Sequence, residues 1–437
     1  MLIPGRTFYI ALFQSYFRIL ETAPRRTSVR LQTQPIHAHP PRLPPGARLP
    51  DLPQSAVTVD RPALVPGLAG VPAAESAISY IDGNAGILEY RGYPIEQLAE
   101  YSNFEETCWL LMKGELPTAD QLARLRAELR GARSLPPALV SMLRLFPKTG
   151  HPMHVLQSAV AAMGALEPTV KFGSEEDFHR AWIRLLATVP CIVATHERLR
   201  RGLEPIAPDA GLDTAANFLW MLNGQKPADV ATRALDCALV LHADHTMNAS
   251  TFAARVVYGT NAGPYDSVSA AIGALHGPLH GGANEKVLQE LESIGGVAKV
   301  RDFAEKKFAA KGKIMGFGHR VYKVKDPRSH ALQKLGKALF EKLGHTPTYD
   351  VALELEKIVV DRLGAKGIHP NVDFFSGFIY QKLGIPTDQF TPIFAIARTA
   401  GWLAHLHEQM QDNKLYRPGQ VYIGERQRGY VPMPERR

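Results

Sequence analysis

From Thr118 to about Leu241 the sequence repeats one pattern: apolar positions three and four apart, a proline or glycine break, then the same spacing again. Asp120 to Arg130 and Thr214 to Leu222 are two such stretches, while period-two alternation over several residues, the mark of a half-buried strand, is hard to find. Helical stripes must be buried against other helices, so the predicted fold class is all-α. No fixed-period repeat stands out, which argues against a solenoid.

The same spacing continues on either side. After turn signals at Asp82-Gly83 and Arg91-Gly92, Ile95, Leu98 and Ala99 form one stripe and Phe104, Cys108 and Leu111 the next. Asp326-Pro327 reads as an N-cap with a first-turn proline, Leu332, Leu335, Leu339 and Leu343 stripe the helix that follows, and Gly344 ends it. A Gly-rich break at Gly277 to Gly282 and an irregular stretch at Pro386 to Pro392 bracket a segment with its own helices. The expected organisation is a large domain over residues 60–280 and 386–437, interrupted by a smaller domain over 281–385.

The formal charge of +8 on 437 residues raises nucleic acid as a partner, until its location is read. Residues 1–56 carry seven arginines against Glu21 and Asp51, so +5 of that charge sits in the first segment and the remainder is nearly balanced. Any basic patch in the body is therefore local, suited to a particular anion and not to a polyphosphate backbone. The segment is Arg-rich and then Pro-rich from Pro35 to Pro53, which reads as an unstructured leader, an organellar targeting sequence, or a stretch upstream of a later start. Cys108, Cys191 and Cys237 form no CxxC pair and are odd in number, which fits a reducing compartment, the cytoplasm, or the mitochondrial matrix if the leader is a transit peptide. The longest early apolar stretch, Thr7 to Phe17, falls well short of the roughly 20 residues a membrane helix needs.

Four clusters concentrate His, Arg, Asp and Gly: LHADHTMNAS (241–250), HGPLHGGANE (276–285), GFGHRVYKVKDPR (316–328) and HPNVDFFSG (369–377). No metal site is expected, since Gly277 and Pro278 break the helical face between His276 and His280, and His242 and His245 lack a carboxylate at metal spacing. A dinucleotide fingerprint fails at Val321. His280 precedes a glycine pair and the amphipathic run Asn284 to Ile294, and a helix N-terminus there would keep its imidazole neutral and able to donate to an oxyanion; the alternative is a buried structural histidine. Asp373 stands among Val372, Phe374 and Phe375, and an apolar surround raises a carboxylate pKa and makes it a better base. Two histidines, such an aspartate and several arginines suit proton removal next to one carbonyl while a second is polarised. Arginines suit a substrate with more than one carboxylate, and Lys313, Lys323, Lys325 and Lys366 suit phosphates.

Together these strings resemble the citrate synthase family in its shorter bacterial form. The likeness runs over roughly Leu64 to Pro432, from AAESAISYIDGNAGILEYRGYPI to FTPIFAIARTAGWLAHLHEQMQDNKLYRPGQVYIG. It implies a nearly all-helical enzyme of two domains that close over oxaloacetate, in an obligate homodimer, with acetyl-CoA as co-substrate and no permanently bound cofactor. It assigns Asp373 as the base toward the acetyl-CoA methyl group, His280 as the donor to the enolate oxygen, and His319 as the acid that polarises the oxaloacetate ketone. His245, Arg328 and Arg398 match the family's oxaloacetate ligands, and Arg417 the arginine that the neighbouring subunit inserts. CoA would lie along Met315 to Gly318, hence Gly316 and Gly318, with Lys313, Lys323 and Lys366 near its phosphates. Thr246 departs from the pattern, where an acidic or small residue is expected, and bears on oxaloacetate affinity.

The nearest rival is 2-methylcitrate synthase, which uses propionyl-CoA with the same machinery; NVDFFSG and YRGYPI favour citrate synthase. About one methylene of pocket volume separates the two, worth about 1 to 3 kcal/mol. A non-catalytic binder of CoA or polycarboxylates is the rival from another class, and a nucleic-acid module is rarer still. Removing residues 1–56 is expected to leave oxaloacetate-dependent CoA release intact, and an inactive, misfolded truncation would show that the leader is structural.

Overall fold

The computed structural model describes residues 64–319 and 321–436; the leader expectation for 1–56 lies outside them. The chain opens with a three-stranded antiparallel meander, β1 (Ser79–Asp82), β2 (Ile87–Tyr90) and β3 (Tyr93–Pro94), in which Ser79 pairs with Tyr90 and Tyr90 with Tyr93. These strands escape sequence reading because four residues give too little alternation to register. Helices follow: α1 (Ile95–Tyr101), α2 (Phe104–Lys113), α3 (Ala119–Gly131), α4 (Pro137–Leu145), α5 (Pro152–Leu166), α6 (Glu175–Arg200), α7 (Thr214–Asn223) and α8 (Asp229–His242). Next come α9 (Ala249–Tyr258), α10 (Pro264–His276), α11 (Ala283–Ile294) and α12 (Val300–Ala309). The last four are α13 (Pro327–Leu343), α14 (Pro347–Leu363), α15 (Val372–Lys382) and α16 (Phe390–Gln411).

Their ends follow from local chemistry. Asn103, Ser174 and Thr346 cap α2, α6 and α14 by accepting a first-turn N–H, and Thr118 and Gln121 form a reciprocal capping box on α3. Asp326 caps α13 and Gly344 closes it, as expected from the sequence. Val287, Leu288, Leu291 and Ile294 are all buried on one side of α11, again as the stripe predicts.

Helix α16 is apolar on every side and is buried from Phe390 to Leu406, so it is a central helix and not a surface one. It packs against α2, α6, α8, α9 and α10, and the packing is close at Gly401. The Gly401 N–H donates to the carbonyl of Ala243 at 3.1 Å, and a Cβ there would overlap that carbonyl oxygen and Asp244 Oδ1. No helix among the described residues is long and apolar enough to cross a membrane. Gly401→Ala is expected to destabilise the protein by about 1 to 3 kcal/mol through overpacking, read as a lower urea midpoint at unchanged m-value.

Candidate active site

Two stretches far apart in sequence pair edge to edge. Phe317 and Pro370 form an antiparallel bridge, the Gly318 N–H donates to the His369 carbonyl, and the Asn371 N–H donates to the Gly316 carbonyl, both at 2.9 Å. Asn371 completes the join: its Nδ2 donates to the Gly318 carbonyl, while its Oδ1 accepts the N–H groups of Asp373 and Phe374 and so caps α15. One asparagine thus ties the stretch bearing His319 to the helical turn bearing Asp373. Gly316 has φ +79°, and a Cβ there would sit 2.9 Å from Phe374 Cβ, so only glycine fits the crossing.

His319 Nδ1 accepts the backbone N–H groups of Val321 and Tyr322 at 3.0 and 3.1 Å. A nitrogen that accepts carries no proton, so the proton of the neutral ring is on Nε2. His280 follows the same rule on a different helix: its Nε2 lies 2.8 Å from Ser250 Oγ and accepts the Ser250 N–H at 3.3 Å, leaving Nδ1 as the N–H donor. The helix N-terminus that meets this ring is therefore that of α9, capped by Asn248, and not that of α11 as the sequence suggests. Asp373 is half-buried on the first turn of α15, and among the described residues nothing donates a hydrogen bond to its carboxylate.

His245 lies on the loop between α8 and α9, with its ring edge-on to His319 (5.6 Å between centroids) and to Tyr322 (5.8 Å). Its Nε2 is buried, with no hydrogen-bond partner among the described residues. Arg328 is 2% exposed and holds Asp326 through Nε (3.0 Å) and Nη2 (2.8 Å). Arg398, 1% exposed, has among the described residues only the His242 carbonyl for its Nε and the Phe394 ring, 4.6 Å away, beside its charge.

These charges set the protonation of their neighbours. Burial pushes His280 down to about 4, and Arg398 adds to it; burial, then Arg328, bring His319 to about 4 as well. His245 is driven well below the ordinary value by burial and then by Arg328, Arg398, His319 and His280. Burial pushes Asp373 up to about 6; Arg328 and Arg398 pull it down, and Asp326 adds to the rise. Arg398 itself is lowered to about 10, chiefly by burial. The arrangement offers two neutral imidazole donors, one carboxylate free to take a proton, and two buried cations.

The structure therefore brings together His245, His280, His319, Arg328, Asp373 and Arg398. Arg417 is exposed on the segment after α16, with no hydrogen bond or ion pair among the described residues. Lys313, Lys323 and Lys366 are exposed; Gly367 packs on the Lys323 carbonyl, so two of these lysines share one rim, while Lys325 is taken up by Gln333 and Glu356. Gly318 lies beside them with φ +78° and open space where a Cβ would be. Ser250, Asn371 and Asp326 orient the site residues. Asp326 and Asn371 each carry a legible local signal, an N-cap position, and Ser250 carries none. Among the described residues no group of three or more His, Cys, Asp or Glu is arranged to hold a metal ion.

A family model described as citrate synthase, C-terminal domain, matches residues 67–419. The chain is 52% identical over 370 residues to the citrate synthase of Synechocystis sp., covering 85% of this chain and 93% of that protein. It is 47% identical to that of Acidithiobacillus ferridurans, covering 86% and 99%. Among solved structures, citrate synthase from Pyrobaculum aerophilum superposes with a TM-score of 0.81 at 41% identity, over 85% of this chain and 95% of that one. The ternary complex of carboxymethyl coenzyme A and oxaloacetate with the Thermoplasma acidophilum enzyme gives 0.80 at 33% identity, over 86% and 100%.

Only the carboxylate form of Asp373 can take a proton. With its pKa at about 6 and both imidazoles already neutral above about 4, kcat/KM is expected to reach a plateau above pH 6. Below that value it should fall about tenfold per pH unit, and a profile flat down to pH 5 would remove Asp373 from the chemistry.

Proposed function

The chain belongs to the citrate synthase family of acyltransferases, and we propose that it condenses acetyl-CoA with oxaloacetate and water, releasing citrate and CoA, through Asp373, His280 and His319. Asp373 takes a proton from the acetyl methyl group. The Nδ1–H of His280 donates to the thioester oxygen as negative charge develops there, and the enolate carbon attacks the oxaloacetate ketone. The Nε2–H of His319 polarises that ketone and protonates the new alkoxide. Water then cleaves the citryl thioester, giving citrate and free CoA.

Arg328, Arg398 and His245 hold the carboxylates of oxaloacetate in this reading, and a homodimer brings Arg417 of one chain to the site of the other. We read residues 60–280 and 386–437 as the large domain and 281–385 as the small one. His319, Arg328 and Asp373 then come from the small domain and His245 and Arg398 from the large one, so closure completes the site and excludes water before acetyl-CoA is activated. CoA lies along Met315 to Gly318, with Lys323 and Lys366 on one rim. The ligands named for the Thermoplasma complex support both substrates. Three buried, unpaired cysteines fit a cytoplasmic enzyme.

What carries the mechanism is the protonation pattern: backbone N–H groups occupy one nitrogen of each imidazole, leaving the other as a donor, beside a carboxylate that no group among the described residues donates to. Oxaloacetate-dependent CoA release should be faster from acetyl-CoA than from propionyl-CoA at matched concentrations, and the reverse preference would overturn the assignment of substrate. Asp373→Asn should lower kcat by about 10²- to 10⁴-fold, the usual worth of a general base, with oxaloacetate affinity near normal. Equal losses of binding and turnover would contradict that role.

A further inference from the structure

Among the described residues His245 has no side-chain hydrogen bond of its own; its position is set by its neighbour Asp244, which is completely buried. The Asp244 backbone is clamped by the Tyr90 hydroxyl, which accepts its N–H at 3.1 Å and donates to its carbonyl at 3.0 Å. Its Oδ2 accepts the Thr246 N–H at 3.0 Å and the Ser79 hydroxyl, so one carboxylate oxygen closes the turn around His245. That turn holds Thr246 at φ +50°, a conformation a β-branched residue adopts only under constraint. Asp244 Oδ1 is turned to His405, along a second path.

That path is a series of contacts, of which the one between Asp244 and His405 is an ion-pair approach and not a hydrogen bond. His405 Nε2 lies 3.3 Å from Asp244 Oδ1, and Arg255 Nη1 approaches His405 Nδ1 at 3.3 Å. A guanidinium only donates, so Nδ1 accepts and Nε2 carries the proton that faces Asp244. Arg255 is itself buried; it pairs with Glu408 at 3.1 Å and donates its Nε to the Tyr416 hydroxyl at 3.2 Å. Tyr416 immediately precedes Arg417 and packs edge-on against Phe252, so the chain of contacts ends where the segment bearing Arg417 leaves the body.

We propose that Asp244 is a positioning residue for His245, and that the buried chain Asp244–His405–Arg255–Tyr416 couples the hold on oxaloacetate in one site to the segment that presents Arg417. This rests on the reading of His245 as an oxaloacetate ligand. Arrangement of the loop by Asp244 sets the imidazole against His319, and the same contacts fix the start of the tail, so loosening either end loosens the other. Side-chain networks of this kind show non-additive deletions, whereas independent structural contacts add.

The test measures oxaloacetate affinity of the full-length protein by calorimetry, for wild type, Asp244→Asn, Tyr416→Phe and the double variant, with melting temperature recorded for each. Asp244→Asn should weaken binding about tenfold and Tyr416→Phe about threefold to fivefold, typical of losing a charged and a neutral hydrogen bond. The double variant should be no weaker than Asp244→Asn alone, and kcat of Tyr416→Phe at saturating oxaloacetate should stay within about twofold of wild type. Effects that multiply, or a Tyr416→Phe that melts lower yet binds normally, would overturn the coupling. If Asp244→Asn does not fold, the half-buried Tyr416 end decides alone, since Tyr416→Phe removes one hydroxyl. A wild type that binds no oxaloacetate would instead overturn the functional reading on which the coupling rests.

Discussion

Arg328 and Arg398 lie almost wholly out of water, and among the described residues only Arg328 is answered by a carboxylate in contact. Burying an ion without full compensation costs several kcal/mol, so the protein holds positive potential there against its own stability. That potential reaches every titratable group around it. It adds to the effect of burial on His245, His280 and His319 and so secures their neutral forms. On Asp373 it acts the other way, opposing the rise that burial causes. Under the proposed reading a bound dicarboxylate cancels much of this field. Asp373 then becomes a stronger base only once oxaloacetate is in place, which puts the activation of acetyl-CoA after the arrival of its acceptor.

Potential alone would leave the two imidazoles free to carry their proton on either nitrogen. The backbone removes that freedom. Val321 and Tyr322 offer N–H groups to His319 Nδ1, and Ser250, at the first turn of α9, offers one to His280 Nε2. An N–H group cannot accept, so each contact fixes a tautomer without spending a side chain on it. The same economy brings His319 to Asp373: Gly316, Gly318 and Asn371 join their segments by main-chain bonds and one amide side chain. Rigid backbone positions donors more closely than flexible side chains can, and that is what stabilising a developing charge requires.

How much of this was legible in the sequence depends on how far apart the partners are. The helices α11 and α13 could be read from their stripes and caps, because these features recur within a few residues. The central place of α16 could not, since it reflects helices distant in sequence packing around it. His280, His319 and Asp373 carry their own signals, in glycine neighbours and an apolar surround. Asp244 and Ser250 carry none: Ser250 meets His280 from 30 residues away, and Ser79 meets Asp244 from 165. The turn at His245 shows the same limit. Thr246 departs from the expected residue type there, and its φ of +50° follows from contacts to Ser79 and Asp244 that no local pattern announces.

Four departures from good local chemistry meet at this centre. The partnerless Nε2 of His245, the strained Thr246, the incompletely paired Arg398 and the unsupported Asp373 all lie within it. Such clustering marks a functional site, but it does not by itself distinguish binding from catalysis. Under the proposed reading Asp373 makes the distinction. A protein that only held polycarboxylates would gain from Arg328 and Arg398 and lose from a carboxylate beside them, since like charges repel and Asp373 receives no hydrogen bond to stabilise its charge. Its presence costs anion affinity. Proton abstraction from a substrate next to the bound anion makes use of that cost, because the features that disfavour the charged form of Asp373 also make it the stronger base.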